Sequence, residues 1–173
     1  MAAGPVFLAA GVVQGVARDG FDFSRNALSQ LALGEGGWAQ TVNFLLAGTL
    51  LVMGAVGLRR VLGGTPGSTV GPVLIGAFGV SFWAAAAFPA DAGAGFPAGA
   101  PDATVMSGHG AVHLAAGAAG YLALCAALVV LAGSLAGFAA SAVSVLAFTA
   151  GAGLGLLWLA AVTARLAFEP VTR

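Results

Sequence analysis

The two histidines of the chain, His109 and His113, lie four residues apart at the start of a long apolar segment. Residues with this spacing share one face of an α-helix, and their β-carbons lie about 6 Å from each other. Ser107 precedes the pair and is a residue type that caps helix N-termini. Because a neutral imidazole can accept a proton or bind a metal ion, this pair is the first candidate for a chemical site.

Three interpretations of the histidine pair are open on sequence alone. Both rings can anchor a helix at the membrane interface by hydrogen-bonding to Asp91, Asp102 or loop carbonyl groups. One ring can instead act as an acid or base on a substrate while a carboxylate orients it. Finally, both rings can bind zinc together with one or two of Asp22, Asp91 and Asp102, since imidazole and carboxylate are ligands that zinc accepts.

The composition indicates an integral membrane protein. The chain has 173 residues, of which 60% are hydrophobic and 7% are charged, whereas soluble domains carry about 25% charged residues. The 28 glycines allow close helix packing in lipid, which is compatible with an oligomer. The net charge of zero argues against nucleic acid as a partner. We therefore expect one transmembrane domain over residues 1–173, surrounded by membrane lipids.

About 20 apolar residues in a helix span a bilayer, and apolar segments of about this length predict the transmembrane helices. The segment from Ser134 to Phe168 would form a helix of about 52 Å, too long for a hydrocarbon core of about 30 Å. We divide it at Gly151–Gly153 and predict an all-α bundle of six short transmembrane helices. The first four are predicted at about Gly4–Ala17, Trp38–Leu58, Gly71–Phe88 and His109–Leu131.

Arginine positions predict the orientation of this bundle in the cell membrane. Cationic loops tend to remain cytoplasmic, so Arg59–Arg60 place the loop between the second and third spans inside. Six spans then place Arg165 and Arg173 inside as well, with both termini cytoplasmic. Arg18 and Arg25 fall outside, against the same tendency.

The first outer loop contains a predicted interfacial helix. Leu28, Leu31 and Ala32 follow helical spacing within this polar segment, and Gly34 is placed to end the helix. Asp22 precedes it as a possible cap. We expect this short helix to lie on the membrane surface.

Polar residues collect at the outer ends of the predicted spans. Polar side chains in hydrocarbon are costly unless they have partners or face a cavity. We therefore expect these groups to converge on one outer-leaflet pocket, together with Gln14 of the first span. The expected pocket residues are Asp22, Ser29, Gln40, Asn43, Asp91, His109 and His113.

Two segments resemble the signatures of a bacterial membrane family named Domain of Unknown Function 998. They are "FDFSRNALSQLALGEGGWAQTVNF" (Phe21–Phe44) and "FPADAGAGFPAGAPDATVMSGHGAVHLAAG" (Phe88–Gly117), in the order typical of the family. The resemblance implies six spans and no settled reaction. The family pattern falls on Asp22, Ser29, Leu31, Gly34, Gly37, Trp38, Gln40, Asn43, Asp91, Gly95, Pro97, His109, Gly110 and His113.

The leading functional hypothesis is a membrane-embedded enzyme acting on a lipid-like or other hydrophobic small molecule by hydrolysis, isomerisation or cyclisation. His113 is the expected base, while Asp91 orients a histidine or joins His109 and His113 around a metal ion. No cofactor is required, and zinc is the candidate metal. The expected substrate-binding residues are Asp22, Arg25, Ser29, Gln40 and Asn43, with Arg25 steadying an anionic group.

The alternative hypothesis is a non-catalytic membrane subunit. In that case the polar cluster only locks the outer loops together and docks a partner.

Overall fold

A computed structural model describes residues 2–64 and 67–135 of the chain, with side chains described as far as residue 132. These residues belong to one unit, residues 1–134, apart from the last. Their only β pairing is an isolated bridge between Gly93 and Phe96. The helices are α1 (Ala3–Ala17), a 3-10 helix (Leu28–Ala32), α2 (Trp38–Val61), α3 (Val70–Ala87) and α4 (Gly108–Leu135).

The helix positions agree with the predicted spans to about one turn at each end. Helices α2, α3 and α4 are long and apolar enough to cross a membrane, and α1 is a shorter apolar helix. In an apolar stretch of 18 residues in each helix, only 28% of the stretch in α2 and in α3 is buried within the protein, and 11% of the stretch in α4. Apolar outward faces of this kind are suited to lipid contact. The chain is thus an all-helical membrane protein in its described part. The two spans predicted after Ser134 lie outside the described residues.

Helices α2 and α3 cross at a pair of glycines. A β-carbon added to Gly48 would lie 2.7 Å from the carbonyl oxygen of Gly79, and one added to Gly79 would lie 2.9 Å from that of Gly48. Trp83 packs over the same crossing and donates its indole N–H to the carbonyl of Leu45 at 3.3 Å. Since apolar surfaces do not drive helices together in lipid, such close packing of small residues holds the pair.

Aromatic rings join the other helices to this pair. The ring of Phe7 in α1 lies 5.4 Å from Phe44 of α2 and 5.1 Å from Phe82 of α3, between ring centres. Phe78 of α3 lies 5.4 Å from Tyr121 of α4. Tilted and edge-on ring pairs at these distances are favourable beyond the area they bury.

Residues 18–37 and 88–107, here called the loop layer, cover the helix ends on one side. Arg18 donates to the carbonyl groups of Leu31 (3.2 Å) and Leu33 (2.7 Å), and its guanidinium lies 5.2 Å from the centre of the Phe96 ring. Phe96 is only 1% exposed and also packs edge-on against Phe21 at 5.2 Å. The two loops therefore have an apolar core of their own, closed by a cation–π contact.

Buried amide side chains connect the same two loops by hydrogen bonds to backbone. Gln30 accepts from the N–H of Ala27 at 3.0 Å and donates to the carbonyl groups of Asp91 (3.3 Å) and Gly93 (3.2 Å). Asn26 donates to the carbonyl of Ala94 at 3.3 Å. These bonds supply partners to loop carbonyls that no helix or sheet satisfies.

Candidate functional site

His113 lies in the second turn of α4 and is 8% exposed. Its Nδ1 is 2.8 Å from the carbonyl oxygen of Phe88, the residue that follows α3. A carbonyl oxygen can only accept, so this contact places the ring proton of neutral His113 on Nδ1. Nε2 is then the acceptor nitrogen, and no hydrogen bond to it is found among the described residues. The backbone carbonyl that follows α3 therefore fixes both the tautomer and the orientation of the His113 ring.

Two cavities meet at His113. The first, of about 550 Å³, lies between α1, α2, α3 and α4 and has a largely apolar wall that includes Phe44, Phe78 and Phe82. The second, of about 490 Å³, lies between the loop layer and α4. Both volumes fall in the range of small-molecule sites, roughly 300–1,000 Å³. The residues that line both cavities are Ala27, Ser29, His113, Gly117 and Tyr121.

Asp91 binds the start of α4 and does not hydrogen-bond to a histidine. Its carboxylate accepts from the hydroxyl of Ser107 at 2.5 Å and from the backbone N–H of Ser107 at 2.9 Å. These two bonds hold the pKa of Asp91 below its usual value. Nδ1 of His113 bonds to the carbonyl of Phe88, and a role of Asp91 in orienting a histidine stays a prediction.

Ser107 caps α4 as predicted. Its hydroxyl oxygen accepts from the N–H of Gly110 at 3.0 Å, which is the bond typical of a serine N-cap. A β-carbon on Gly110 would overlap the carboxylate of Asp91, so only glycine leaves room for Asp91 at this helix end. The positive end of the helix dipole also favours an anion there.

His109 is separated from the cavities. It is exposed and lines neither of them, and its ring packs edge-on against Phe88 at 5.6 Å between ring centres. The two imidazoles therefore contact opposite parts of the same residue, His109 the ring and His113 the carbonyl. The structure does not bring His109 to the pocket that the sequence predicted for both.

The charged residues expected to bind substrate are used within the loop layer. Arg25 forms an ion pair with Asp102 at 2.8 Å, in which the side chains are 52% and 81% exposed. Asp22 accepts from the N–H of Ser24 at 2.7 Å and so shapes the turn before the 3-10 helix, whose N-cap is Ala27. Neither Arg25 nor Asp22 lines a cavity. Of the predicted binding residues, Ser29 is the one at the cavity wall.

Gln40 and Asn43 form a buried amide cluster with Gln14 in place of a substrate site. The Oε1 atom of Gln40 accepts from Gln14 at 2.9 Å and from Asn43 at 3.1 Å, and Asn43 also donates to the carbonyl of Phe7 at 3.1 Å. None of the three amides lines a cavity. They join α1 to α2, as polar side chains commonly do between membrane helices. The atoms Gln14 Oε1, Gln40 Nε2 and Asn43 Oδ1 are buried without a partner among the described residues.

The family described as "Protein of unknown function (DUF998)" matches residues 1–171 of the chain. The chain belongs to the DUF998 family. This confirms the resemblance drawn from the two sequence segments. No curated protein and no solved structure matches the chain.

Four glycines of the two segments that resemble the family signatures lie where the fold restricts side chains. Gly34 and Gly95 have φ angles of 66° and 77°, which side chains rarely adopt. A β-carbon on Gly37 would overlap the carbonyl of Ala32, and one on Gly110 would overlap Asp91. The shape of the loop layer and its junction with α4 therefore explain why these four positions are glycine.

The described residues of this DUF998 chain offer no ligand set for the zinc hypothesis. Across residues 2–64 and 67–135, no three His, Cys, Asp or Glu side chains lie close enough together to hold a metal ion. His113 has one nitrogen bound to a carbonyl, His109 lines neither cavity, and each oxygen of Asp91 accepts one hydrogen bond from Ser107. The described residues therefore do not fit a zinc site.

Three residues that organise the site of the DUF998 chain were not identified from sequence. Gln30 and Asn26 hold the two loops together, and Gln30 also lines the second cavity. Arg18 fixes the end of the 3-10 helix to α1. The available signal was a glutamine directly before the apolar Leu31 of the 3-10 helix, a position where an unpaired polar group would be costly.

Proposed function

We propose that this protein is a membrane-embedded enzyme that binds a hydrophobic molecule in the paired cavities and transfers a proton through His113. One observation carries the proposal: nearly buried His113 lines both cavities and has its tautomer fixed by backbone, while its second nitrogen has no hydrogen-bond partner among the residues that the structure describes. Imidazole is the side chain best suited to proton transfer near neutral pH.

The cavities support a lipid-like ligand. The first one is lined mainly by aromatic and aliphatic side chains from all four α-helices, and its polar atoms come from Ser29, Ser81, His113 and Tyr121. The hydroxyl of Ser81 already donates to the carbonyl of Phe78 at 2.7 Å. Ser29, His113 and Tyr121 therefore remain to meet a reacting group. Nε2 of His113 would take a proton from the substrate, a water molecule or the Ser29 hydroxyl and return it afterwards. Hydrolysis, isomerisation and cyclisation each use such a step.

The proposed topology has six spans, with the loop layer on the extracytoplasmic face of the cell membrane and both termini in the cytoplasm. Arg59 and Arg60 at the end of α2 support this orientation, because α2 begins at the loop layer and ends at the opposite side. A membrane-impermeant thiol reagent tests it in a Cys125→Ser background. The reagent should label Ala98→Cys in intact cells and should label Gly63→Cys only after lysis; the reverse result would refute the orientation.

A matched pair of variants tests the role of His113. The Nδ2–H of asparagine can replace the Nδ1–H of histidine towards the Phe88 carbonyl, but asparagine has no basic nitrogen at the Nε2 position. His113→Asn is therefore expected to fold like the parent and to lose turnover, typically by 10²–10⁴-fold for a lost acid–base group. His109→Asn is the control and should retain activity, since His109 lines neither cavity.

The assay incubates the purified full chain with total bacterial lipid extract and compares lipid species before and after by mass spectrometry. A species that the parent and His109→Asn convert, and that His113→Asn does not, supports the enzyme. Equal conversion by His113→Asn refutes the assignment of the base. If the parent converts no species, the non-catalytic subunit is favoured, for which the bonds of Gln30 and Ser107 within the loop layer are the supporting observation.

A further inference from the structure

The paired cavities differ in chemistry along their length. Beyond the residues they share, the first is lined by Ser81, whose hydroxyl is bound to the Phe78 carbonyl, and otherwise by apolar residues, with no ionisable side chain among the described ones. The second adds Gln30, Asp91 and Thr104, which carry amide, carboxylate and hydroxyl groups. One molecule that occupies both would have an apolar chain in the first and a polar head in the second.

The charge at the wall of the second cavity is negative. Among the described residues, Asp91 is the only charged side chain that lines either cavity. The two arginines of the loop layer are engaged elsewhere, Arg18 with two backbone carbonyl groups and Arg25 with Asp102. An anionic head would therefore meet a carboxylate and no cation, whereas a cationic or neutral head would meet hydrogen-bond acceptors.

We infer that the ligand of the paired cavities is an amphiphile whose head group is uncharged or cationic, and that phosphate and carboxylate head groups are excluded. The inference rests on the proposed binding of a hydrophobic molecule in these cavities and adds its head-group class. It also corrects the expectation that Arg25 steadies an anionic group, because Arg25 is paired with Asp102 and lines neither cavity.

The test uses four probes with the same dodecyl chain: dodecylamine, dodecanol, dodecanoate and dodecyl phosphate. The full chain is placed in nanodiscs of uncharged phosphatidylcholine, and binding of radiolabelled dodecylamine is measured in competition with each of the other probes at pH 7. We expect dodecanol to compete and each anionic probe to compete at least about tenfold more weakly, the order of effect expected from one partly exposed carboxylate.

Glycine variants separate cavity binding from partition into the nanodisc. A β-carbon on Gly117 meets no atom within 4 Å, yet Gly117 lines both cavities, so Gly117→Leu obstructs both at their shared wall without displacing backbone. Gly54 has equal free space on α2 and lines neither cavity, so Gly54→Leu is the matched control. Gly117→Leu should abolish saturable binding, and Gly54→Leu should bind like the parent.

The outcomes distinguish this inference from the proposed function. If the anionic probes compete as well as dodecanol while Gly117→Leu still blocks binding, the head-group inference is refuted and the cavity proposal stands. If Gly117→Leu binds like the parent, or no probe binds saturably, both are refuted. Asp91→Asn should weaken the discrimination against the anionic probes; unchanged discrimination would also overturn the inference.

Discussion

Replacing Gly48 by alanine tests the glycine crossing that positions the walls of the first cavity. The added β-carbon would lie 2.7 Å from the carbonyl oxygen of Gly79 and 2.7 Å from Cδ1 of Trp83. Neither neighbour can yield easily, since one is helix backbone and the other is a ring whose N–H donates to Leu45. Forcing an extra carbon into such a contact costs about 1–3 kcal/mol.

Helix propensity works in the opposite direction and has to be separated from this cost. Alanine is favoured over glycine in a helix interior by about 1 kcal/mol. Gly54→Ala supplies the matched control, because Gly54 is on the same helix and a β-carbon there meets no atom within 4 Å. The propensity gain is common to both variants, so their difference in unfolding free energy isolates the steric cost of about 1–3 kcal/mol.

The measurement is reversible unfolding of the purified chain in mixed micelles, with increasing dodecyl sulfate and loss of helical circular dichroism as the signal. We expect Gly54→Ala to be as stable as the parent or slightly more stable, and Gly48→Ala to be less stable than Gly54→Ala. Equal stability of the two alanine variants would show that α2 and α3 do not approach as closely as 2.7 Å implies, and the argument for the crossing would fail.

Three further predictions concern the loop layer and the amide cluster. Gly110→Ala should lower the thermal unfolding midpoint by a few degrees relative to Gly108→Ala, because only at position 110 does the new β-carbon overlap Asp91. Gln40→Leu should cost about 1 kcal/mol in the same micelle assay, since two hydrogen bonds between membrane side chains contribute about 0.6 each; a cost above about 3 kcal/mol would contradict this. The lowered pKa of Asp91 means that its ionised form stabilises the fold above the usual aspartate pKa of about 3.9, and that this contribution is lost as pH falls below it. The stability difference between the parent and Asp91→Asn should therefore be full at pH 7 and should shrink towards pH 3; a constant difference would oppose the assignment.

The helices could be predicted from sequence because one physical property determines them. An apolar segment that must satisfy its backbone in lipid forms a helix, and its length follows from the thickness of the bilayer. Helix α2 begins at Trp38 in both the prediction and the structure, and α1 ends at Ala17 in both. The contact between the two loops also followed from topology, since alternating spans bring residues 18–37 and 88–107 to one side.

The roles of individual loop residues could not be predicted in the same way. Arg18, Asn26 and Gln30 bind carbonyl groups of residues 13 to 68 positions away along the chain. A sequence records side-chain types, but the direction of a loop carbonyl depends on backbone angles that only the folded chain fixes. The structure has a 3-10 helix at the position of the predicted interfacial helix. Its Leu31 is fully buried within the loop layer.

The two histidines illustrate how far spacing alone can mislead. Positions i and i+4 differ by about 40° around a helix and by about 6 Å along it, so a shared face does not guarantee a shared environment. His109 lies in the first turn of α4, where the neighbouring α3 has already ended at Ala87, and it is exposed. His113 lies one turn deeper in α4. Its ring bonds to the carbonyl of Phe88, the residue that follows α3, and it is nearly buried.

These differences narrow the chemistry available to the protein. Most polar groups that the sequence offered for catalysis have structural partners: Asp91 with Ser107, Arg25 with Asp102, and the amides with one another. What remains at the cavities in the described part of the chain is one imidazole nitrogen and the hydroxyl groups of Ser29, Thr104 and Tyr121, beside a single carboxylate. Within the described residues the cavities have one base and no cation, which supports the proposed proton transfer on a neutral or cationic amphiphile over transfer of a phosphoryl group, since phosphoryl transfer depends on cations to neutralise the developing charge.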